Sequence, residues 1–176
     1  VHSSLRATAD CYAANVLDLG PDDVVFSAAK LFFAYGLGNA MTFSMAVGAS
    51  TVLLPDRPTP DAVLQVMKRH RPTLFAGVPT LYASLLANPA LGKGAGSNRL
   101  KTCISAGEPL PEHVGQRWRE RFGIDILDGI GSTEMLHIFL SNTAGDVRYG
   151  TTGKPVPGYR VRLVDDDNNP VPKGEI

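Results

Sequence analysis

The stretch Thr73-Leu74-Phe75-Ala76-Gly77-Val78-Pro79-Thr80 decides the fold, because a largely apolar run passes there into a helix. Residues 73–76 are short and apolar and end at a glycine, which predicts a strand. The helix that follows carries Leu81, Leu85 and Leu86. A strand that leads into a helix is the repeating unit of a parallel sheet.

The same alternation of strand and helix recurs along the chain. Further strands are predicted at residues 23–27, 51–54, 101–105 and 125–127. Asp61 is the predicted cap of one intervening helix, and another carries the stripe Val114, Trp118 and Phe122. This order predicts an α/β fold, with a mainly parallel sheet and helices on both faces.

Near Tyr149 the pattern changes. Residues 159–164 alternate, and the turn at residues 165–170 follows them, which predicts a short β-hairpin or small-barrel segment. We therefore expect residues 1–148 to form an α/β subdomain and residues 149–176 to begin a truncated β-rich segment. Because the chain opens and stops abruptly, we interpret it as an internal fragment.

Charge and cysteine content argue against a nucleic-acid partner and against a disulfide framework or zinc site. Lys plus Arg and Asp plus Glu both number 17, so the net charge is zero, and the basic residues do not cluster. Nucleic-acid binding depends on a positive surface, so no nucleic-acid partner is expected. Cys11 and Cys103 are too few for a disulfide framework or a zinc site. Cys103, inside an apolar run, is interpreted as a small buried hydrophobe.

Residues 31–55 carry no charge, and the stretch is long enough to span a membrane. It also contains several Gly, Ser, Thr and Asn residues and ends in a β-branched strand signal. A buried helix followed by a buried strand explains this pattern better than a bilayer span. No membrane is expected as a partner, and a cytoplasmic setting fits the sequence.

Three loops follow predicted strands and are candidate ligand sites. In an open α/β sheet, ligands bind at the carboxyl ends of the strands. The three loops are Gly77-Val78-Pro79, Ser105-Ala106-Gly107-Glu108-Pro109 and Asp128-Gly129-Ile130-Gly131-Ser132-Thr133-Glu134.

The third loop has the residue types of a phosphate site. Gly129 and Gly131 allow the backbone to lie close to a ligand, and Ser132 and Thr133 offer hydroxyl groups. Glu134 has the carboxylate that Mg²⁺ prefers. Taken alone, the loop is better explained as a helix start, with Ser132 or Thr133 as the cap.

Four motifs in order resemble the adenylate-forming superfamily, which includes acyl- and aryl-CoA ligases, luciferases and peptide-synthetase adenylation domains. They are Gly77-Val78-Pro79-Thr80, Ser105-Ala106-Gly107-Glu108-Pro109-Leu110, Gly129-Ile130-Gly131-Ser132-Thr133-Glu134 and Gly150-Thr151-Thr152-Gly153-Lys154-Pro155-Val156-Pro157-Gly158. The resemblance extends over essentially the whole chain and implies ATP as a substrate.

The resemblance also implies roles for individual residues. One wall against the adenine and ribose would be formed by Ala106, Gly107, Glu108 and Pro109, and the other by Asp128, Gly129 and Ile130. Gly131 and Ser132 would belong to the same nucleotide site. Thr133 would bind the α-phosphate, and Glu134 would coordinate Mg²⁺. Most relatives have Tyr in place of Ile130, so apolar contact would replace stacking on adenine.

A narrower resemblance concerns the acid. Residues 30–38 and 131–139 are similar to the benzoate–CoA ligase branch, in which Ala34, Tyr35, Gly36, His137 and Ile138 would contact a small aromatic carboxylic acid. A flat apolar pocket suits a ring, and Tyr35 or His137 can hydrogen-bond a ring substituent. The alternative is that Tyr35 and His137 are satisfied core residues.

Several family parts are missing from these residues: the phosphate loop, the ribose-binding Asp, and the C-terminal domain with its catalytic Lys. We therefore expect the chain to depend on the remainder of its own protein and to be inactive alone. The resemblance implies an aryl-CoA ligase that forms an aryl-adenylate and then the CoA thioester.

Three other interpretations stay open. An adenylation domain that loads a carrier protein would share these motifs. A nucleotide-binding module without ligase activity would need a Gly-x-Gly-x-x-Gly turn, and Gly36 and Gly38 lack the third glycine. A structural or interaction domain is favoured only if no pocket forms between the three loops.

Overall fold

The computed structural model describes residues 1–92, 96–172 and 174. One seven-stranded sheet has the order β2-β1-β3-β4-β5-β6-β7, in which β1 to β5 are parallel and the last two pairings are antiparallel. The strands are β1 Val24–Ser27, β2 Ser50–Val52, β3 Leu74–Gly77, β4 Thr102–Ser105, β5 Ile126–Gly131, β6 Ile138–Ser141 and β7 Lys154–Pro155.

Helices cover both faces of this sheet. Two of them contain π-helical turns: α1 continues as a π-helix over Ala9–Ala14, and α2 continues through a π-helix over Gly38–Thr42 into α3. The α-helices are α1 His2–Thr8, α2 Ala34–Leu37, α3 Phe43–Val47, α4 Pro60–His70, α5 Pro79–Ala87 and α6 Glu112–Phe122.

Alternate strand residues enter two separate apolar cores. Phe75 and Cys103 point into the core under α4, α5 and α6, where Trp118 is also buried. Their neighbours Leu74 and Ile104 point into the core under α1 and the α2–α3 helix. The predicted α/β fold with helices on both faces is thus confirmed, and Cys103 is fully buried.

The uncharged stretch differs in part from expectation. Its strand, β2, is the edge strand of the sheet and is largely exposed, so the prediction of a buried strand is wrong. Its helix continues through the π-helical segment Gly38–Thr42, and Phe32 and Met45 are exposed. Among the described residues, no helix has both the length and the apolar character needed to cross a membrane.

One local prediction is wrong, and one strand was not predicted. The cap of α4 is Thr59, whose side-chain oxygen accepts from the backbone N–H of Ala62 at 3.3 Å, whereas Asp61 lies in the first turn. Pro60 at the start of the helix moves the boundary forward. β6 was not predicted, because its apolar residues follow the site loop without a turn signal of the usual kind.

The C-terminal segment contains little regular structure. It holds the two-residue β7 and one isolated antiparallel bridge, between Val164 and Pro170. The turn at residues 165–170 is present, with Asp165 N–H donating to the carbonyl of Asn169 at 2.9 Å. The division into residues 1–148 and 149–176 remains a prediction, and its last residues, 175 and 176, lie outside the described part of the chain.

The strand order determines where a ligand can bind. β1 lies between β2 and β3, so the connections leave β1 and β3 in opposite directions across the sheet. This point is the topological switch of an open α/β sheet, where the loops separate and leave a crevice. The loops that follow β3, β4 and β5 lie side by side at the same edge.

We predict that Gly115→Ala destabilises the fold. A Cβ at Gly115, in the middle of α6, would overlap the ring of Tyr149, whose hydroxyl donates to Asp125 at 2.8 Å. Overpacking costs about 1–3 kcal/mol, which outweighs the gain of about 1 kcal/mol in helix propensity. Urea unfolding should show a net loss of stability.

Gly20→Ala is the matched control, since a Cβ there meets nothing within 4 Å. That variant should unfold like the parent protein. A Gly115→Ala variant as stable as the Gly20→Ala variant would contradict the packing of Tyr149 on α6.

Candidate functional site

A small cavity of about 190 Å³ lies where the β4 and β5 loops meet the start of α2. Apart from Phe33, every residue that lines it was predicted from the sequence to bind nucleotide or acid. The lining residues are Phe33, Ala34, Tyr35, Ala106, Gly107, Gly131, Ser132, Thr133, His137 and Ile138.

The remaining predicted residues lie outside this cavity. Glu108, Pro109 and Ile130 are exposed beside it, with Ile130 44% accessible. Gly36 is buried behind it, where a side chain would collide with the carbonyl of Lys30. Glu134 is exposed and lines a neighbouring surface cavity with residues of α1.

Glu134 is well suited to remain ionised. Hydrogen bonds from its own backbone N–H and from the hydroxyl of Ser132 lower its pKa. Within the described ranges, no group of three or more His, Cys, Asp or Glu side chains could hold a metal ion. A single carboxylate fits a Mg²⁺ ion that is held mostly by substrate phosphates and water.

The side chain of Asp128 is buried below the β4 loop rather than in the cavity wall. Its Oδ2 accepts from the backbone N–H of Leu110 at 3.4 Å, and it is 5% exposed. Burial raises the pKa of Asp128 to about 6, and hydrogen bonds from Ser105, Leu110 and Gly129 act in the opposite direction. Its backbone carbonyl accepts from the buried side chain of Asn142 at 3.1 Å.

The glycines of the third loop are required by the neighbouring strand. A Cβ at Gly129 would lie 2.7 Å from the carbonyl oxygen of Leu140, and one at Gly131 would lie 2.5 Å from that of His137. The chain reverses here into β6, so no helix begins at Ser132, and the helix-cap alternative is wrong. Ser132 instead accepts from Met135 N–H at 3.2 Å, within the turn.

The hydroxyl of Tyr35 is hydrogen-bonded to the backbone. Its single hydrogen is shared between the carbonyls of Gly77 and Ile104, at 3.1 and 3.2 Å, where β3 and β4 end. Burial raises the pKa of Tyr35 well above its ordinary value, so the phenol stays protonated. Its hydroxyl is therefore engaged, and in this arrangement it is not free to hydrogen-bond a ring substituent.

His137 stands in an aromatic cage. The ring centroids of Tyr12, Tyr35 and Phe43 lie 5.1, 5.5 and 4.6 Å from its own. Burial lowers the pKa of His137 to about 3, so the imidazole is neutral. Neither ring nitrogen has a hydrogen-bond partner among the described residues, although the ring is 3% exposed.

The π-helical turns contribute to this cage. Tyr12 lies in the π-helix of Ala9–Ala14, and Gly38 begins the second, where a side chain would collide with the His137 ring. Widened turns of this kind often occur at functional sites. Here they bring Tyr12 and Gly38 against the imidazole.

A second cavity, of about 670 Å³, opens at the switch point between β1 and β3. Lys30 and Arg57 contribute cationic side chains to it, and Val78 and Leu81 contribute apolar walls. Sequence reasoning had identified the loop of Val78 but not this space. Lys30 is already engaged, since its ammonium group donates to the carbonyls of Leu54 and Asp56.

Sequence reasoning also missed Phe33, Tyr12 and Phe43. Phe33 lies within the motif that resembles benzoate–CoA ligases, and its position before Ala34 was the available signal. Tyr12 and Phe43 carry no local signal, because their spacing is that of ordinary core residues on amphipathic helices.

Known proteins match this chain along its whole length. All of residues 1–176 match the family described as AMP-binding enzyme. The chain is 66% identical over 167 residues to benzoate–CoA ligase of Thauera aromatica, covering 95% of this chain and 32% of that protein. It is 55% identical over 176 residues to 4-hydroxybenzoate–CoA/benzoate–CoA ligase of Rhodopseudomonas palustris, covering 100% of this chain and 32% of that protein.

A solved structure of a related enzyme has the same fold. The benzoate CoA ligase from Burkholderia xenovorans LB400 superposes with a TM-score of 0.96 at 55% identity, covering 99% of this chain and 36% of that one. The chain thus spans about a third of the length of the relatives it matches. The chain belongs to the AMP-binding enzyme family, whose adenylate-forming members include the aryl-CoA ligases.

Proposed function

We propose that this chain is part of an aryl-CoA ligase. A benzoate-type acid and ATP give an aryl-adenylate and pyrophosphate, and CoA then gives the thioester and AMP. The observation that carries this proposal is the small cavity that joins a caged, neutral His137 to Ser132 and Thr133. An apolar space beside a hydroxyl-bearing loop would suit an aryl carboxylate next to a phosphate.

The cavity supports a single-ring acid. Its volume of about 190 Å³ is below the roughly 300–1,000 Å³ of sites for drug-sized ligands. Ala34, Tyr35 and Ile138 supply flat or apolar walls. A neutral imidazole donates through one nitrogen and accepts through the other, so His137 suits a hydroxyl or amino group on the ring. Because a buried nitrogen without a partner costs free energy, a hydrogen bond to it would add to the affinity for the ligand.

The nucleotide would lie over the β4 and β5 loops. Ala106, Gly107, Glu108 and Pro109 form one wall for adenine and ribose, and the backbone of Asp128, Gly129 and Ile130 forms the other. The hydroxyl of Thr133 donates to an α-phosphate oxygen as the carboxylate oxygen attacks phosphorus, where negative charge increases. Mg²⁺ at Glu134 would neutralise phosphate charge.

CoA would reach the acyl carbon from the second cavity. The two cavities have Phe33, Tyr35, Ala106 and Gly107 in common, so a thiol in the larger space lies next to an acid in the smaller one. Apolar walls suit a pantetheine chain, and Arg57 at this cavity suits phosphate groups.

The remaining parts of the reaction lie outside these residues. The phosphate loop, the ribose-binding Asp and the C-terminal Lys are missing from the sequence, and relatives are about three times as long. The mobile C-terminal domain would supply the Lys and then admit CoA. Because ATP and CoA are abundant in the cytoplasm, we place the enzyme there.

We predict that the complete ligase carrying this segment catalyses benzoate-dependent ATP–pyrophosphate exchange. Thr133→Val should lower kcat of that exchange by about 100-fold, with a small effect on KM for benzoate, because the hydroxyl acts on developing charge. Isotope exchange measures both constants.

Thr51→Val is the matched control, because Thr51 lies on the exposed edge strand. It should leave the exchange unchanged. The 176-residue chain alone should show no exchange. Exchange by the isolated chain, or a Thr133→Val enzyme as active as its parent, would contradict the assignment.

We also predict that His137 selects among ring substituents. His137→Phe keeps an aromatic ring in the cage but loses both nitrogens. The ratio of kcat/KM for the preferred hydroxybenzoate to that for benzoate should fall by about three- to ten-fold, the value of one hydrogen bond.

The ratio in the parent enzyme should not vary with pH. The pKa of His137 is lowered to about 3, so the imidazole stays neutral between about pH 5 and 8. A ratio that changes with the titration of an ordinary histidine near pH 6.5, or one unaffected by His137→Phe, would disprove this role.

A further inference from the structure

The larger cavity, of about 670 Å³, is enclosed by the loops that follow four neighbouring strands, β2, β1, β3 and β4. The wall that follows β2 consists of residues 57–60, in which Pro58 and Pro60 present apolar surface. Core packing does not hold the segment that leads into this wall, because residues 55–57 are exposed. The position of the wall therefore depends on the polar contacts of the loop before it.

Lys30 ties this wall to the sheet. It follows β1, and its ammonium group donates to the carbonyls of Leu54 and Asp56, in the loop just before the wall. In the described part of the chain, no other hydrogen bond joins residues 53–58 to the sheet or to α2. A charged donor makes stronger hydrogen bonds than a neutral one. The ammonium group of Lys30 is thus the polar link that sets the position of the wall.

The main chain at Lys30 is fixed as well. Its carbonyl accepts from the backbone N–H of Phe33 at 3.1 Å, just before α2. A side chain at Gly36 would overlap the same carbonyl, so α2 packs closely on this residue. Lys30 therefore extends from a fixed base, and two of its three ammonium hydrogens are already used on the loop. This arrangement suits support of the wall better than binding of a ligand.

We propose that Lys30 is a positioning residue for the thioester-forming step, which holds the wall of residues 57–60 where it receives the pantetheine arm of CoA. This inference rests on the proposed function, because it assigns the larger cavity to CoA. None of the described residues that line the smaller cavity belongs to this wall. Loss of the ammonium group should therefore weaken the use of CoA and leave formation of the aryl-adenylate unchanged.

The test compares the complete ligase with its Lys30→Met variant, since methionine keeps a long apolar stem but has no donor. Initial rates of benzoyl-CoA formation give KM for CoA, which should rise by about ten-fold, the effect of about one hydrogen bond from a charged group. Benzoate-dependent ATP–pyrophosphate exchange gives kcat and KM of adenylation. Both should change by less than about two-fold, as for a substitution at an independent site.

Pantetheine as the thiol acceptor separates support of the wall from direct contact with CoA. It has the thiol arm of CoA but no phosphate group. If Lys30 holds the wall, Lys30→Met raises KM for pantetheine as well as KM for CoA. An increase confined to CoA would mean that the ammonium group binds a CoA phosphate, and it would overturn the positioning role.

Lys68→Met is the matched control, because it removes the same charge from an exposed position of α4. Lys68 lines neither cavity, and its side chain makes no hydrogen bond among the described residues. That variant should match the parent enzyme in all of these constants. Thermal unfolding gives the stability of both variants. If Lys30→Met does not fold, Lys30→Gln gives the same comparison, because its side chain is uncharged and shorter by one bond.

Two further results would overturn the role of Lys30. One is an unchanged KM for CoA in Lys30→Met, and the other is an equal loss in the exchange reaction, which would indicate general loosening. The outcomes also separate this inference from the proposed function. A parent enzyme that forms no benzoyl-adenylate would remove both. A parent enzyme that forms benzoyl-CoA, with Lys30→Met equal to Lys68→Met, would retain the ligase and remove the positioning role.

Discussion

The carbonyl of Ile104, at the end of β4, accepts hydrogen bonds from side chains on both faces of the sheet. Tyr35 donates to it from the α2 side, and Tyr82 donates to it from the α5 side. A carbonyl oxygen has two lone pairs, so it accepts both hydroxyls. Each hydroxyl shares its single hydrogen with a carbonyl of β3, that of Gly77 for Tyr35 and that of Phe75 for Tyr82. The ends of β3 and β4 are thus fixed, and the loops that leave them begin from set positions.

That constraint explains how a site forms from irregular backbone. Loops at the edge of a sheet are usually the mobile part of a domain. Here Asp128 holds the β4 loop through Leu110, and Asn142 holds the carbonyl of Asp128. A buried polar network that is well satisfied gives rigidity to the groups around it. Both ring nitrogens of His137 lack a partner among the described residues, and His137 lines the small cavity, so it is available to contact a ligand.

Much of the fold and site could be predicted from the sequence. The five parallel strands follow from short apolar runs between amphipathic helices, a pattern typical of a sheet covered on both faces. The edge position of β2 could not be predicted, since an apolar run such as residues 51–54 is compatible with an edge strand as well as with a central one. β6 was also missed, because it is antiparallel and the glycines before it suggested a phosphate loop.

The site residues also divide into those that the sequence predicts and those that only the fold brings together. Those in ordered motifs, such as Ser132, Thr133 and Ala106, come together because the motifs follow neighbouring strands. The role of the Tyr35 hydroxyl could not be predicted, because its partners at Gly77 and Ile104 are 42 and 69 residues away. The cage around His137 depends likewise on Tyr12 and Phe43, which helix packing brings near it.

The proposed function requires that the smaller cavity hold the ring of an aryl-adenylate. A crystal structure of the complete ligase with a non-hydrolysable benzoyl-adenylate analogue would show where that ring lies. We expect the ring between Ala34 and Ile138, in contact with His137, and the phosphate mimic within hydrogen-bond distance of the Thr133 hydroxyl. A ring in the larger cavity, beyond Tyr35 and beside Val78 and Leu81, would contradict the account.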